Sequence, residues 1–368
     1  MDIPLSQAWL PPLSAFGICI VVMYLLLPIA KRLNLVDRPN NRKRHHGTIP
    51  LIGGITIFAS TLLASAIFLK PNIELLYVLA AGGLVTITGA LDDKYDINFK
   101  VRLVVQAIAA LVLVYGANTQ LITFGNLLGF GDINLGILAT PITIIAVVGM
   151  MNAFNMVDGI DGLAGGLVMV SVLALYFLLP ASVDSTAKTI LAMIAGALTA
   201  YLIFNLHVLE KITPKVFMGD AGSMFLGFVV TAFLIRYSQP IAGKQQFEPV
   251  TALWLVAVPL MDMCVTAMRR MSKGKSPFHP DRTHLHHIII RVGHTPRKAL
   301  VMIVGYAGIV ASAGMWMQTY SDAYLSLFMF GVLFFGHLIW LRKLAESAKQ
   351  RNKSTKKSKT QIPRTLDV

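Results

Sequence analysis

The sequence predicts an all-α fold, a polytopic transmembrane bundle of about eleven helices. Three observations lead there. Of the 368 residues, 55% are hydrophobic and only 14% are charged, a mix that soluble domains do not carry. Apolar stretches recur at lengths that match a hydrocarbon core of about 30 Å. The Lys and Arg residues are spaced between those stretches so that nearly all of them fall on one side of a membrane.

The first stretch, Leu13 to Ala30, follows a segment that carries Asp2 and no Lys or Arg, and it is closed by Lys31 and Arg32. That order predicts a retained helix, not a cleaved leader, with its N-terminus on the periplasmic side. Leu51 to Leu69 and Leu75 to Ala90 are separated only by a short turn around Lys70, as in a helical hairpin. Val101 to Tyr115 opens beside Lys100 and contains Arg102. Leu135 to Val157, Leu163 to Leu179 and Thr189 to Leu206 follow. Met224 to Ile235 is short and contains Gly227, so a tilted, broken or longer helix is expected there. Val250 to Met268, Ala299 to Met317 and Ala323 to Leu341 complete the set. Each must be helical, because a helix satisfies its own backbone groups in lipid.

With the N-terminus outside, only Lys70, Lys188, Arg236 and Lys244 of the 32 Lys and Arg residues fall in outward loops. The C-terminus is then cytoplasmic. The net charge of +14 therefore reports membrane topology and gives no reason to expect nucleic acid. The expected organisation is one transmembrane domain over residues 1–341, with inner loops at 31–50, 91–100, 157–162, 207–223 and 269–298. A basic tail at 342–368, rich in Lys and Ser, is expected to be disordered. Cys19 and Cys264 both lie in apolar stretches, which points away from a disulfide framework.

The acids collect on the inner side. Asp92, Asp93 and Asp96 follow the third stretch, Asp158 and Asp161 the fifth; Asp220 precedes the eighth and Asp262 lies near the inner end of the ninth. Ionised groups inside a bilayer cost about 2.5 to 3.5 kcal/mol at the centre, so acids at span ends are paired or functional. The adjacent carboxylates of Asp92 and Asp93 repel unless a cation or a proton lies between them. In the run Asn152-Ala153-Phe154-Asn155-Met156-Val157-Asp158-Gly159-Ile160-Asp161-Gly162 each acid is followed by glycine, which allows a sharp turn. Phe217-Met218-Gly219-Asp220-Ala221-Gly222-Ser223 holds its acid between small residues. Carboxylate and amide oxygens of this kind suit Mg²⁺ or Mn²⁺ better than zinc.

Every His except His337 also lies inward. His284, His286 and His287 form a His-x-His-His run without Cys partners, so phosphate binding is expected there, not zinc. Lys100 and Arg102 are candidates to hold phosphate, or are topology anchors. His45, in a basic inner loop, is a candidate to close over a donor, or is a solvated loop residue. Asp262 reads as a structural partner of Arg269 or Arg270. Carboxylates able to hold a metal beside Arg, Lys and His are the toolkit of phosphoryl transfer. A membrane setting adds that one substrate is a lipid whose phosphate sits at the interface.

The motifs resemble those of the polyprenyl-phosphate N-acetylhexosamine-1-phosphate transferase family. The resemblance runs from about Leu35 to about Arg297. Its motifs, in order, are Arg42-Lys43-Arg44-His45 with Pro50-Leu51-Ile52-Gly53-Gly54, Asp92-Asp93, Asn152 to Gly162, Phe217 to Ser223, Pro259-Leu260-Met261-Asp262, and Ser276-Pro277-Phe278 through His287. It is greatest to members that use undecaprenyl phosphate and UDP-GlcNAc, giving undecaprenyl-diphospho-GlcNAc and UMP with Mg²⁺ or Mn²⁺. Such a product begins lipid-linked glycans such as O-antigen or enterobacterial common antigen, in a multi-pass protein of the bacterial inner membrane with a cytoplasmic active site.

By this resemblance Asp220 and Asp158 are metal-site residues, and Asp92 or Asp93 deprotonates the lipid phosphate. Asn155, Asp161, His284, His286 and His287 are placed near the nucleotide sugar. The relatives that use UDP-MurNAc-pentapeptide carry three consecutive His where Leu285 interrupts the run here. Another UDP-N-acetylhexosamine donor stays open, as does a homodimer. An intramembrane prenyltransferase, suggested by Asp92-Asp93-Lys94-Tyr95-Asp96, and a transporter are the rival classes.

Overall fold

In a computed structural model the chain is described over residues 8–38, 47–180, 185–210, 212–240, 245–276 and 283–360. It is about three-quarters helical. In order the helices are α1 (Leu10–Arg32), α2 (Gly53–Phe68), α3 (Ile73–Tyr95), α4 (Phe99–Tyr115), α5 (Ala139–Val157), α6 (Leu163–Leu178), α7 (Ser185–Asn205), α8 (Gly219–Ser238), α9 (Pro249–Leu255), α10 (Ala257–Met271), α11 (Leu285–Val292), α12 (Pro296–Tyr320) and α13 (Ala323–Thr360). The strands β1 (Val36–Asp37) and β2 (Ile49–Pro50) form one small antiparallel ribbon.

All the apolar stretches of the sequence lie in helices, so the chain is a multi-pass membrane protein with an all-α bundle. Among the described residues, seven helices are long and apolar enough to cross a membrane alone. The remaining stretches are α2, α4 and α6, of 16, 17 and 16 residues, and the pair α9–α10. That pair corrects the expectation of a single ninth span, because its two halves are bent by 83°. Pro259 lacks the N–H that would bond to the carbonyl of Leu255. That carbonyl instead accepts from Ser171 Oγ at 2.8 Å, which keeps the break satisfied inside the bundle.

Of the alternatives expected for the eighth stretch, the structure shows the longer, unbroken helix. α8 runs for 20 residues and is buried along almost its whole length, as expected of a helix that is apolar all round. It packs on α3, α5, α2, α6 and α9. Gly227 is a close-approach residue: a Cβ there would sit 2.9 Å from Met151 Cα on α5. α1 and α7 pack on each other, and α2 fills the space between them and α8.

The last helix continues past the final apolar stretch, through Thr360. No Pro or Gly occurs between Arg342 and Thr360, and Lys, Arg, Gln and Ala are good helix formers.

Candidate active site

The N-terminus of α8 is the meeting point. Gly219 has φ of 71°, which only glycine adopts readily, and its turn aims the first amides of α8 at α3. Asp93 receives them: its carboxylate accepts from the backbone N–H of Asp220 at 2.9 Å and of Ala221 at 3.3 Å. An anion here satisfies amides that have no partner within the helix and complements the helix dipole. A Cβ on Gly219 would come within 2.3 Å of that carboxylate. Two more glycines let the backbones touch. A Cβ on Gly54 would lie 2.0 Å from Gly222 N, and one on Gly89 would lie 2.4 Å from Ala221 Cα. The segment before α2 is laced to the segment before α8 by Gly53 N to Phe217 O, Gly54 N to Met218 O and Phe217 N to Pro50 O, each 2.9 Å.

Two further helices converge on the Asp220 side chain. Asn155, in the last turn of α5, donates to Asp220 Oδ1 at 2.8 Å and to Ser223 Oγ at 3.0 Å. Arg102, in the first turn of α4, donates to Asp220 Oδ2 at 3.1 Å and, from the same nitrogen, to Asp92. Asp92 is buried, while about a third of the Asp220 side chain is exposed. Behind this layer Asn152 donates to Gln106 Oε1 at 2.8 Å, and Gln106 reaches Met224 Sδ at 3.0 Å. The sequence left Arg102 open as an anchor or a phosphate-holding group, and the structure sets it between Asp92 and Asp220. Lys100, two residues earlier, stays exposed on the surface.

Asp158 and Asp161 lie in the exposed turn between α5 and α6. Asp161 pairs with Lys215 at 2.5 Å. Below the turn, buried Asn205 accepts from Gly162 N at 2.6 Å and donates to Val216 O at 2.9 Å, so one amide ties the Asp158 loop to the Asp220 loop. Among the described residues no three His, Cys, Asp or Glu groups are gathered as a metal cage.

α11 brings the His run to the same turn. A Cβ on Gly159 would lie 2.1 Å from His286 Nε2, so that ring rests on the backbone between Asp158 and Ile160. His286 is buried, and its Nε2 has no hydrogen-bond partner among the described residues. Burial drives its pKa from an ordinary 6.5 down to about 3, and His287 beside it, 4.1 Å between ring centres, pushes the same way. His284 faces elsewhere. Its Nδ1 donates to Asp262 Oδ2 at 2.9 Å, and its Nε2 lies 3.3 Å from Arg270. The partner that sequence reading gave Asp262, an arginine, is therefore replaced by His284. His45 and the Pro277 and Phe278 positions lie outside the described residues.

Asn205, Gln106 and Lys215 were missed in the sequence. The signal for the first two was there: an amide inside or at the end of an apolar helix needs partners, and neither sits among charged residues that would solvate it.

Comparison with known proteins bears on what this constellation does. Residues 75–238 match the model of glycosyl transferase family 4. The undecaprenyl-phosphate alpha-N-acetylglucosaminyl 1-phosphate transferase of Escherichia coli strain K12 is 41% identical over 336 residues, 89% of each chain. The protein of the same name from Yersinia pestis is 41% identical over 322 residues, 86% of this chain and 87% of its own. That of Haemophilus influenzae is 38% identical over 349 residues, 91% and 97% respectively.

Proposed function

Because the chain belongs to the family of these undecaprenyl-phosphate alpha-N-acetylglucosaminyl 1-phosphate transferases, we propose that it moves GlcNAc-1-phosphate from UDP-GlcNAc to undecaprenyl phosphate. A phosphate oxygen of the lipid attacks the β-phosphorus of the nucleotide sugar, the bond from that phosphorus to the UMP oxygen breaks, and UMP leaves. The observation that carries this reading is the convergence of Asp92, Arg102, Asn155 and Asp220 from four helices at one end of the bundle.

Arg102 is suited to orient diphosphate oxygens, and the buried His286 ring to set the Asp158 turn. Of the two candidate bases, Asp93 has both oxygens engaged by backbone amides, whereas Asp92 is held by a side chain. Asp92 is the base in this reading. Its task is light, because a phosphate monoester loses its second proton near pH 6. The basic inner loops support a cytoplasmic site in the inner membrane, where UDP-GlcNAc is dissolved. The product would initiate a lipid-linked glycan such as O-antigen.

The donor atoms fit Mg²⁺ or Mn²⁺. They are carboxylates without thiols, and Asp220 and Asp158 both have solvent-accessible side chains. Magnesium is commonly held by one or two carboxylates plus substrate phosphates, which suits Asp220 and Asp158 as its protein ligands. When bound, the ion neutralises charge on the diphosphate.

The test is one assay with purified protein, undecaprenyl phosphate and radiolabelled UDP-GlcNAc or UDP-MurNAc-pentapeptide, with Mg²⁺ or chelator. Labelled lipid from UDP-GlcNAc, with equal UMP and none in chelator, is expected. Transfer only from the peptide donor would overturn the donor assignment, and UMP release without lipid would overturn direct attack.

A further inference from the structure

The three histidines of the His284-Leu285-His286-His287 run are not equivalent. α10 holds the start of α11 through four contacts. Asp262 Oδ1 accepts from Leu285 N at 2.8 Å, and so caps the helix that carries His286 and His287. Asp262 Oδ2 accepts from His284 Nδ1 at 2.9 Å. Arg270 lies 3.3 Å from the other ring nitrogen, and Arg269 donates to Thr283 O at 2.6 Å. Asp262, Arg270 and His284 are all buried, with 1%, 4% and 6% of their surfaces exposed.

These partners fix the tautomer. A carboxylate can only accept, so Nδ1 carries the hydrogen; a guanidinium can only donate, so Nε2 offers its lone pair. Both nitrogens of His284 are thereby used inside the protein, between a buried anion and a buried cation. His286, two residues on in the first turn of α11, has the opposite character: its Nε2, set against Gly159, has no hydrogen-bond partner among the described residues.

We infer that Asp262 and His284 are positioning residues, a buried strut with Arg270 that sets α11 so that His286 meets the Asp158 turn, and that His284 does not touch substrate. The inference rests on the transferase reading above for its kinetic arm only. A strut that pre-organises a binding segment changes the fraction of protein competent to bind, so its loss raises the apparent dissociation constant by that fraction. A group that contacts the reacting phosphates lowers kcat instead.

Asparagine and glutamine at position 284 separate the two roles, because the Asn amide nitrogen stands in for Nδ1 and the Gln side chain reaches towards Nε2. His284→Asn keeps the donor to Asp262 and is expected to stay within about threefold of wild type in kcat/KM. His284→Ala and His284→Gln should raise KM for UDP-GlcNAc by about tenfold or more, with kcat within about threefold. Asp262→Asn presents an amide donor to the Nδ1 hydrogen and should behave like His284→Ala. A fall in kcat of about a hundredfold in His284→Asn, with KM unchanged, would make His284 a substrate contact and overturn the inference.

Thermal unfolding supplies an arm independent of turnover. In a cycle of Asp262→Asn, His284→Ala and the double variant, the double variant should lose no more thermal stability than the worse single one. Additive losses would mean that the two side chains act separately, and would also overturn it. A failure of UDP-GlcNAc as donor would appear in wild type and leave this cycle readable.

Discussion

The acid centre and the His segment meet at one turn but are held in place by different means. Around Asp220 the positions are set by backbone against backbone, with Gly54, Gly89, Gly219 and Gly222 removing every atom that would keep α2, α3 and α8 apart. α11 is held by side chains, through Asp262, Arg269 and Arg270. Backbone contacts of that closeness allow no adjustment, whereas a ring on a hydrogen-bonded strut can shift. A methyl added at these glycines should therefore appear as lost structure, and a displaced His286 ring chiefly as lost binding or catalysis.

The sharpest contrast is between two glycines. Gly54→Ala puts a methyl 2.0 Å from a backbone nitrogen and should destabilise by about 3 kcal/mol or more, read as a large drop in thermal midpoint or failure to accumulate in the membrane. Gly159→Ala puts a methyl against the end of the His286 ring, 2.1 Å from Nε2. It should cost clearly less thermal stability than Gly54→Ala and lower transfer by about tenfold or more. Equal loss of stability in both variants would erase the distinction.

Within the acid centre, Arg102→Lys tests whether a bridging guanidinium is needed. One Arg102 nitrogen serves both Asp92 and Asp220, and a lysine ammonium on a shorter reach does not reproduce that placement. Transfer by Arg102→Lys should fall about tenfold to a hundredfold with the fold intact, and wild-type turnover would remove Arg102 from the centre.

The smallest effect concerns pH. His286 is near 3 in the folded protein against 6.5 ordinarily, so below about pH 6.5 the unfolded chain takes up a proton that the folded protein refuses. Stability is thus lost as pH falls from about 6.5 towards 3. His286→Gln should flatten that slope, seen as a smaller drop in thermal midpoint between pH 7 and pH 5, and an unchanged slope would show that the ring is not held neutral by burial.

The sequence made the same division partly visible. The bundle was legible because apolar length and the placement of Lys and Arg are local quantities. The acids were legible as a set because Asp92, Asp158 and Asp220 each close or open an apolar stretch. What was hidden depends on partners far along the chain. Pro259 was visible, yet a proline inside a span can be tolerated, and Ser171, which satisfies the freed Leu255 carbonyl at the 83° bend, lies far along the chain. His284 looked like its neighbours until Asp262 and Arg270, separated from it by a whole loop, were seen to take both nitrogens. Asn205 gave no motif, and its importance comes from joining Gly162 to Val216.

Magnesium dependence of the Asp220 side chain tests the whole arrangement most directly. Transfer of label from UDP-GlcNAc to undecaprenyl phosphate would be followed against free Mg²⁺ in wild type and in Asp220→Asn. Wild type should saturate with metal and stop in chelator, and the variant, still folded, should lose about a hundredfold or more at any Mg²⁺ concentration. Chelator-resistant turnover, or an Asp220→Asn protein that follows the wild-type curve, would contradict a metal-assisted transfer centred on the start of α8.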